Sequence, residues 1–258
     1  MARAEKRRWR RGLLVLVGFV ILGYLLPVAV ALSMHGLDRP TGSLWQTRRD
    51  SSEQAPVAAA EAVIQVYAAR AYGWRGVLGV HTWIAAKPAG SDHYTRYEVM
   101  GWGVRYGRAA IRVRSGDPDS YWFGNRPRLL ADLRGEQAEQ VIRQLTDAVD
   151  RYPYPRDYRV WPGPNSNTFI AELGRQLPDL QLELPPTAIG KDYLPEGRWF
   201  DWTPSGQGVQ LSLNGLFGVL IGLDEGIEIN LLGLVFGIDI NEPAIKLPGL
   251  GRLGMNER

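Results

Sequence analysis

The chain has 258 residues, 45% hydrophobic and 22% charged, with no cysteine and three histidines. That is enough for one medium domain or two small ones with a real core, and it excludes a disulfide scaffold, a thiolate metal site and a cysteine nucleophile. The net charge of +3 is uneven, with six basic side chains and one acid in residues 1–12 against 24 basic and 26 acidic ones in residues 33–258, so the folded part lacks the positive surface of a nucleic-acid partner.

Leu13–Leu32, LLVLVGFVILGYLLPVAVAL, is an uncharged run of twenty residues. As a helix it spans roughly 30 Å, the thickness of a bilayer core. The basic tail before it, residues 1–12, stays in the cytoplasm and the rest is exported. A rival reading takes Leu13–Leu26 as a signal-peptide core, Pro27 as a breaker and Ala29-Val30-Ala31 as a cleavage site. The run is long for a signal core of roughly 7–15 residues, which favours a retained anchor in the inner membrane. Arginine outnumbers lysine 26 to 4, which points to a GC-rich bacterial genome.

Residues 33–54 read as a polar linker. Pro56 followed by Val57, Ala60, Ile64, Tyr67, Ala68 and Ala71 at helical spacing, with Gly73 as a stop, predicts a helix over 56–72. Val77–Ala86, Tyr94–Trp102 and Ala109–Arg114 predict a three-stranded antiparallel meander. A loop follows over Ser115–Arg128. Ala138, Val141, Ile142, Leu145, Ala148 and Val149 form one stripe of a helix over Gly135–Tyr152. A further helix begins at Asn165-Ser166 and stops at Pro178. Val209–Ile240 alternates with period two and echoes itself at a spacing of sixteen, Gln210–Asn214 against Gly226–Asn230. Its apolar runs are too short to span a membrane, which predicts a buried β-hairpin, with a lipid-touching apolar flap as the alternative. Trp199-Phe200-Asp201-Trp202 reads as core or loop anchors, or as a platform for sugar. The pairs Asp117/Asp119 and Asp224/Glu225 suit turns or a cation.

The fold class expected is α+β, an antiparallel sheet packed by helices, with a C-terminal glycine-rich β extension after one N-terminal membrane helix. The extents are a core over 55–185 and an extension of the same domain over 186–258. Chemistry would fall to His81 on a strand and Ser166 at a helix start, because a serine hydroxyl needs a nearby base and free N–H groups of a helix can hold an oxyanion. His93, Asp92 or Glu98 would orient His81. The plainer alternative is that Asn165 and Ser166 cap a helix and His81 is a core histidine.

Asn165-Ser166-Asn167-Thr168-Phe169 resembles the N-C-x-x-F signature of circularly permuted papain-like proteins, the NlpC/P60-related hydrolases, the lecithin–retinol acyltransferase group and the PPPDE peptidases. In these a strand-borne His precedes the nucleophile, as His81 precedes Ser166. In the acyltransferase group a second His follows at twelve residues, as His93 does, and Tyr97–Gly101 resembles the Glu-bearing strand of the peptidases. The resemblance spans about residues 75–180 and implies His81 as base, His93 as orienting residue and Asn165 as cap or oxyanion neighbour, with Ser166 where the family has Cys. VHTWIAAK, RYEVMGWG, WPGPNSNTFIAELGRQLP and EGIEINLLGL are similar to an uncharacterised bacterial family, domain of unknown function 3750, which implies a bacterial membrane protein without assigned activity. The function expected is a non-catalytic descendant of the papain-like fold that binds an envelope peptide, glycan or lipid through Asn165, Glu98, Trp83 and Trp161. The alternatives are a Ser166/His81/His93 amidase, esterase or acyl transferase, and a structural partner of membrane proteins. No cofactor or metal is expected.

Overall fold

A computed structural model describes residues 2–36, 47–56 and 60–254. Residues 37–46 of the expected linker and residues 57–59 of the expected first helix lie outside the described residues. The chain opens with α1 (Ala2–Val20), a π-helical turn (Ile21–Leu25) and α2 (Leu26–His35). Together, Glu5–His35 is long and apolar enough to cross a membrane. One stripe of it, Gly23, Tyr24, Pro27 and Ala31, is buried against the body, while Leu22, Leu25, Leu26 and Leu32 are exposed.

The first sheet has five antiparallel strands in the order β4-β3-β2-β1-β5, made of β1 (Val63–Arg70), β2 (Val80–Lys87), β3 (Thr95–Val99), β4 (Ile111–Ser115) and β5 (Arg128–Arg134). The meander is β2-β3-β4, as the aromatic and β-branched segments predict. Over the described part of 56–72 the predicted helix gives way to β1, an interior strand between β2 and β5. Every residue from Val63 to Ala69 is buried, because α3 (Gly135–Asp150) and α4 (Ser166–Gln176) cover one face and Tyr67, Trp83, Tyr94 and Trp122 pack on the other. A strand buried on both faces has apolar residues at both parities, so its spacing carries no period of two. α3 lays Ala138, Val141, Leu145, Ala148 and Val149 onto that core, the stripe read from sequence.

The second sheet has seven antiparallel strands in chain order. They are β6 (Phe200–Trp202), β7 (Gly208–Leu213), β8 (Phe217–Gly222), β9 (Gly226–Leu231), β10 (Leu234–Asp239), β11 (Ala244–Leu247) and β12 (Gly251–Gly254). This corrects the buried hairpin in size and in orientation. Gln210, Ser212, Glu228, Asn230 and Lys246 point inward and are buried, while Leu211, Leu213, Ile221 and Ile238 are exposed. The repeat is eighteen residues, not sixteen: β7, β9 and β11 begin at Gly208, Gly226 and Ala244. Asn214-Gly215 and Leu232-Gly233 are equivalent hairpin turns, each with two positive φ angles, the backbone a two-residue turn between twisted strands requires. The inward charges are paired, Lys191 with Glu228 at 2.5 Å and Lys246 with Glu228 at 2.9 Å and Glu183 at 2.6 Å. That pairing is what allows them to be buried.

Candidate functional site

α4 begins where its sequence says it should. The Asn165 side chain accepts from the backbone N–H groups of Asn167 and Thr168, and Thr168 Oγ1 accepts from Asn165 N, a reciprocal cap. Asn165 Nδ2 donates to the carbonyls of Val160 and Ile189. A Cβ on Gly190 would stand 2.3 Å from that nitrogen, so glycine is required there. Asn167 Nδ2 donates to Val80 O and Ile189 O, and Thr82 Oγ1 donates to Asn167 Oδ1. The helix start is thereby bolted to β2 on the sheet face that α4 covers.

Alternation sends His81 to the opposite face, where it is paired with Ala69 on β1. Its ring stacks on Trp122 with centroids 3.8 Å apart and planes at 14°. Nε2 donates to Glu98 Oε2 at 3.0 Å, and Glu98 also accepts from Arg96 (2.9 Å) and Arg114 (2.9 Å). Burial would raise the Glu98 carboxyl, but the His81 hydrogen bond and the neighbouring guanidinium charges outweigh it and hold the group at about 2. Burial pushes the imidazole of His81 down, more than Glu98 raises it, so the ring is neutral at pH 7. An ionised carboxylate only accepts, which puts the ring proton on Nε2 and leaves Nδ1 as an acceptor. Nδ1 and Ser166 Oγ make no hydrogen bond to each other or to any other described residue.

A cavity of about 580 Å³ wraps the end of the sheet and takes both side chains into its wall, His81 from one face and Ser166 from the other. Asn165, Asn167 and Trp161 line it too, and its walls are aromatic and aliphatic: Trp74, Trp102, Trp122, Tyr158, Leu78 and Leu232. Trp161 Nε1 donates to Leu232 O at 2.9 Å, which joins the loop before α4 to the β9–β10 turn. Polar groups converging in one apolar pocket are the usual build of a small-molecule site.

The sequence candidates therefore divide. His81, Ser166, Asn165 and Trp161 meet at the cavity. His93 does not reach it: it is exposed on the turn between β2 and β3, and Glu98 holds the position beside His81 that the family resemblance implies for His93. Glu98 itself is buried behind the imidazole. Trp83 is wholly buried below the site, stacked on Tyr67 and carrying the Arg96 guanidinium on its face at 4.0 Å. Asp119 and Glu225 are structural. Asp119 accepts from Ser51 and from the Gln54 and Ala55 backbone, and Glu225 from Ser205. Among the described residues no cluster of His, Asp and Glu is placed to hold a metal ion. Trp102, Trp122 and Leu232 were not singled out from sequence. The aromatic run Tyr121-Trp122-Phe123 was the one available signal for Trp122, and nothing local marks Leu232.

Residues 61–193, just over half of the chain, match the model of one family, described as a protein of unknown function (DUF3750). The matched stretch runs from the start of β1 past α4 and contains His81, Glu98, Asn165 and Ser166. No curated protein and no solved structure matches the chain.

Proposed function

We propose, for a chain that belongs to the DUF3750 family, that the cavity is a binding site for the apolar part of a cell-envelope lipid or of a lipid-linked peptide or glycan. The observation that carries this reading is the cavity itself, about 580 Å³ of indole, phenol and aliphatic wall with His81, Ser166 and the start of α4 in its lining. The walls suit an acyl chain or isoprenoid, and the polar group suits its head. Leu78, which lines the cavity, also stands beside Gly249, as does Ala31 of α2. A ligand with its tail in a bilayer has a short way to travel.

The N-terminal helix fits a membrane anchor. With six basic residues before it, the side on which the body lies is the exported one, the periplasm of a bacterium. Descent from a permuted papain-like enzyme is supported by the order of parts: a strand with His81, a next strand with its carboxylate partner Glu98, a long helix, and a helix led by Ser166. A nucleophile and its base must come within about 3 Å of each other. Here they approach the cavity from opposite faces of the sheet without a hydrogen bond, which suits a cleft kept for binding after catalysis was lost.

The test uses the full chain in detergent with a dansyl-labelled fatty acid as probe, read by energy transfer from tryptophan. Saturable binding is expected, weakened about ten-fold in Trp161→Ala, the cost of one good aromatic contact. A fluorophosphonate probe is expected to leave the protein unlabelled. Labelling lost in Ser166→Ala would replace this reading with acyl transfer through Ser166 and His81, and absence of saturable binding would remove it.

A further inference from the structure

We propose that the outer face of the seven-stranded sheet is a membrane-contacting platform, lying against the hydrocarbon of the leaflet beside the N-terminal helix. In water an antiparallel sheet puts its apolar side on the core and its polar side out. This sheet does the reverse. Cross-strand pairing sets Trp202, Val209, Ile221, Ile227, Ile238, Ile245 and Leu253 in one unbroken row over all seven strands. With strands about 4.8 Å apart the row is roughly 29 Å long. Every one of these residues is exposed. The next row inward holds Gln210, Glu228 and Lys246, engaged with the body through Asp192, Lys191 and Glu183, and Arg252, paired with Asp239 of β10. A slip of one residue would bury the apolar row but throw those charges out of their pairs, so the orientation is fixed.

The occupant follows from what already lies on this face. Tyr24 Oη donates to Ile229 O at 2.9 Å. Phe19 packs edge-on to Phe236 at 5.1 Å, and Gly23 sits over the same ring. Ile229 and Phe236 are directly paired and belong to the outward face. These contacts are made from the middle of the apolar run Leu13–Leu32, and Ala31 touches the β11–β12 turn at Gly249. A helix that spans a bilayer thus meets the sheet at hydrocarbon depth, and the rest of the apolar face continues from that seam. Trp199 and Trp202 stand exposed at the β6 edge, the residue type that favours the headgroup boundary. The open edges of the sheet carry unpaired backbone groups, so the face and not an edge meets the hydrocarbon. Contiguous apolar surface of this extent is otherwise a protein interface, and a second copy of the chain is the competing occupant.

Absence of cysteine makes site-specific labelling direct. Leu211→Cys, Ile221→Cys and Ile245→Cys, with Glu136→Cys on α3 as the control, would each carry an NBD fluorophore in the full chain, reconstituted in phosphatidylethanolamine/phosphatidylglycerol vesicles. Doxyl-labelled phosphatidylcholine in the vesicles is expected to quench most of the fluorescence at the three sheet positions, with a blue shift, and to leave the control unchanged. Sheet labels that stay water-exposed and unquenched would overturn the proposal. So would labels shielded without quenching that crosslink chain to chain, which would assign the face to a second copy.

Discussion

The two sheets solve burial in opposite ways. The five-stranded sheet has both faces covered, and its interior strand β1 is apolar at every position but Gln65 from Val63 to Ala69. The seven-stranded sheet alternates along β7 and β9, with Gln210, Ser212, Glu228 and Asn230 toward the body and aliphatic residues away from it. The difference teaches that alternation reports two environments without saying which is water. In the first sheet there is no second environment, so the pattern vanishes. In the second it is plain, and the polar side is the buried one because Lys191 and Lys246 are neutralised there by Glu228 and Glu183.

Serine substitutions test this contrast most strongly. Ile64→Ser on β1 is expected to cost about 3–5 kcal/mol of unfolding free energy, through cavity formation and an unpaired hydroxyl. Leu211→Ser on the outer face of β7 is expected to cost within about 0.5 kcal/mol in detergent. Denaturant midpoints of the full chain in detergent measure both, and equal losses would break the distinction between the sheets.

Asp192 sharpens it. It sits under the second sheet, where burial raises its carboxyl to about 6 despite Lys191 and Arg175, with Glu228 adding to the rise. A raised folded pKa means that the native state holds the proton more tightly than the unfolded one. Its stabilising contribution is therefore complete below the ordinary value of 3.8 and lost as pH rises through about 6. Asp192→Asn keeps an acceptor for Gln210 Nε2 and removes the charge. It is expected to gain up to about 3 kcal/mol at pH 7–8 and nothing below about pH 4, read from melting temperature against pH. A gain independent of pH would mean that Asp192 is not the titrating group.

Much of the fold was legible. The stripe from Ala138 to Val149, the three strands around Trp83, Tyr97 and Val113, and the cap at Asn165 each carry their own local signal. β1 is not, for the reason above, and neither is β5, because Arg128–Arg134 is a half-exposed edge strand with three consecutive apolar residues and no alternation. The site was half legible. His81 and Ser166 stand out by chemistry, but choosing Glu98 over His93 needs the knowledge that β3 turns Glu98, with Arg96 two residues before it, toward the imidazole. The aromatic walls come from four separate loops that only the folded chain brings together.

Leu232 gives the smallest effect. It holds a positive φ of 56° where its repeat equivalent is Asn214 at 51°, a backbone region that disfavours leucine. Leu232→Asn is expected to raise stability by about 0.5–1 kcal/mol while removing part of the cavity wall, so thermal stability should increase as fatty-acid affinity falls. Loss of both would tie the strain to folding and not to the site.

Gln210, Glu228 and Lys246 fall on the same step of an iterated unit, eighteen residues apart. Such a unit can be copied or deleted in a single genetic event, each copy arriving with its own turn and its own outward aliphatic pair. The width of the second sheet is therefore an adjustable dimension of this architecture, while the histidine and serine of the first layer stay where they are.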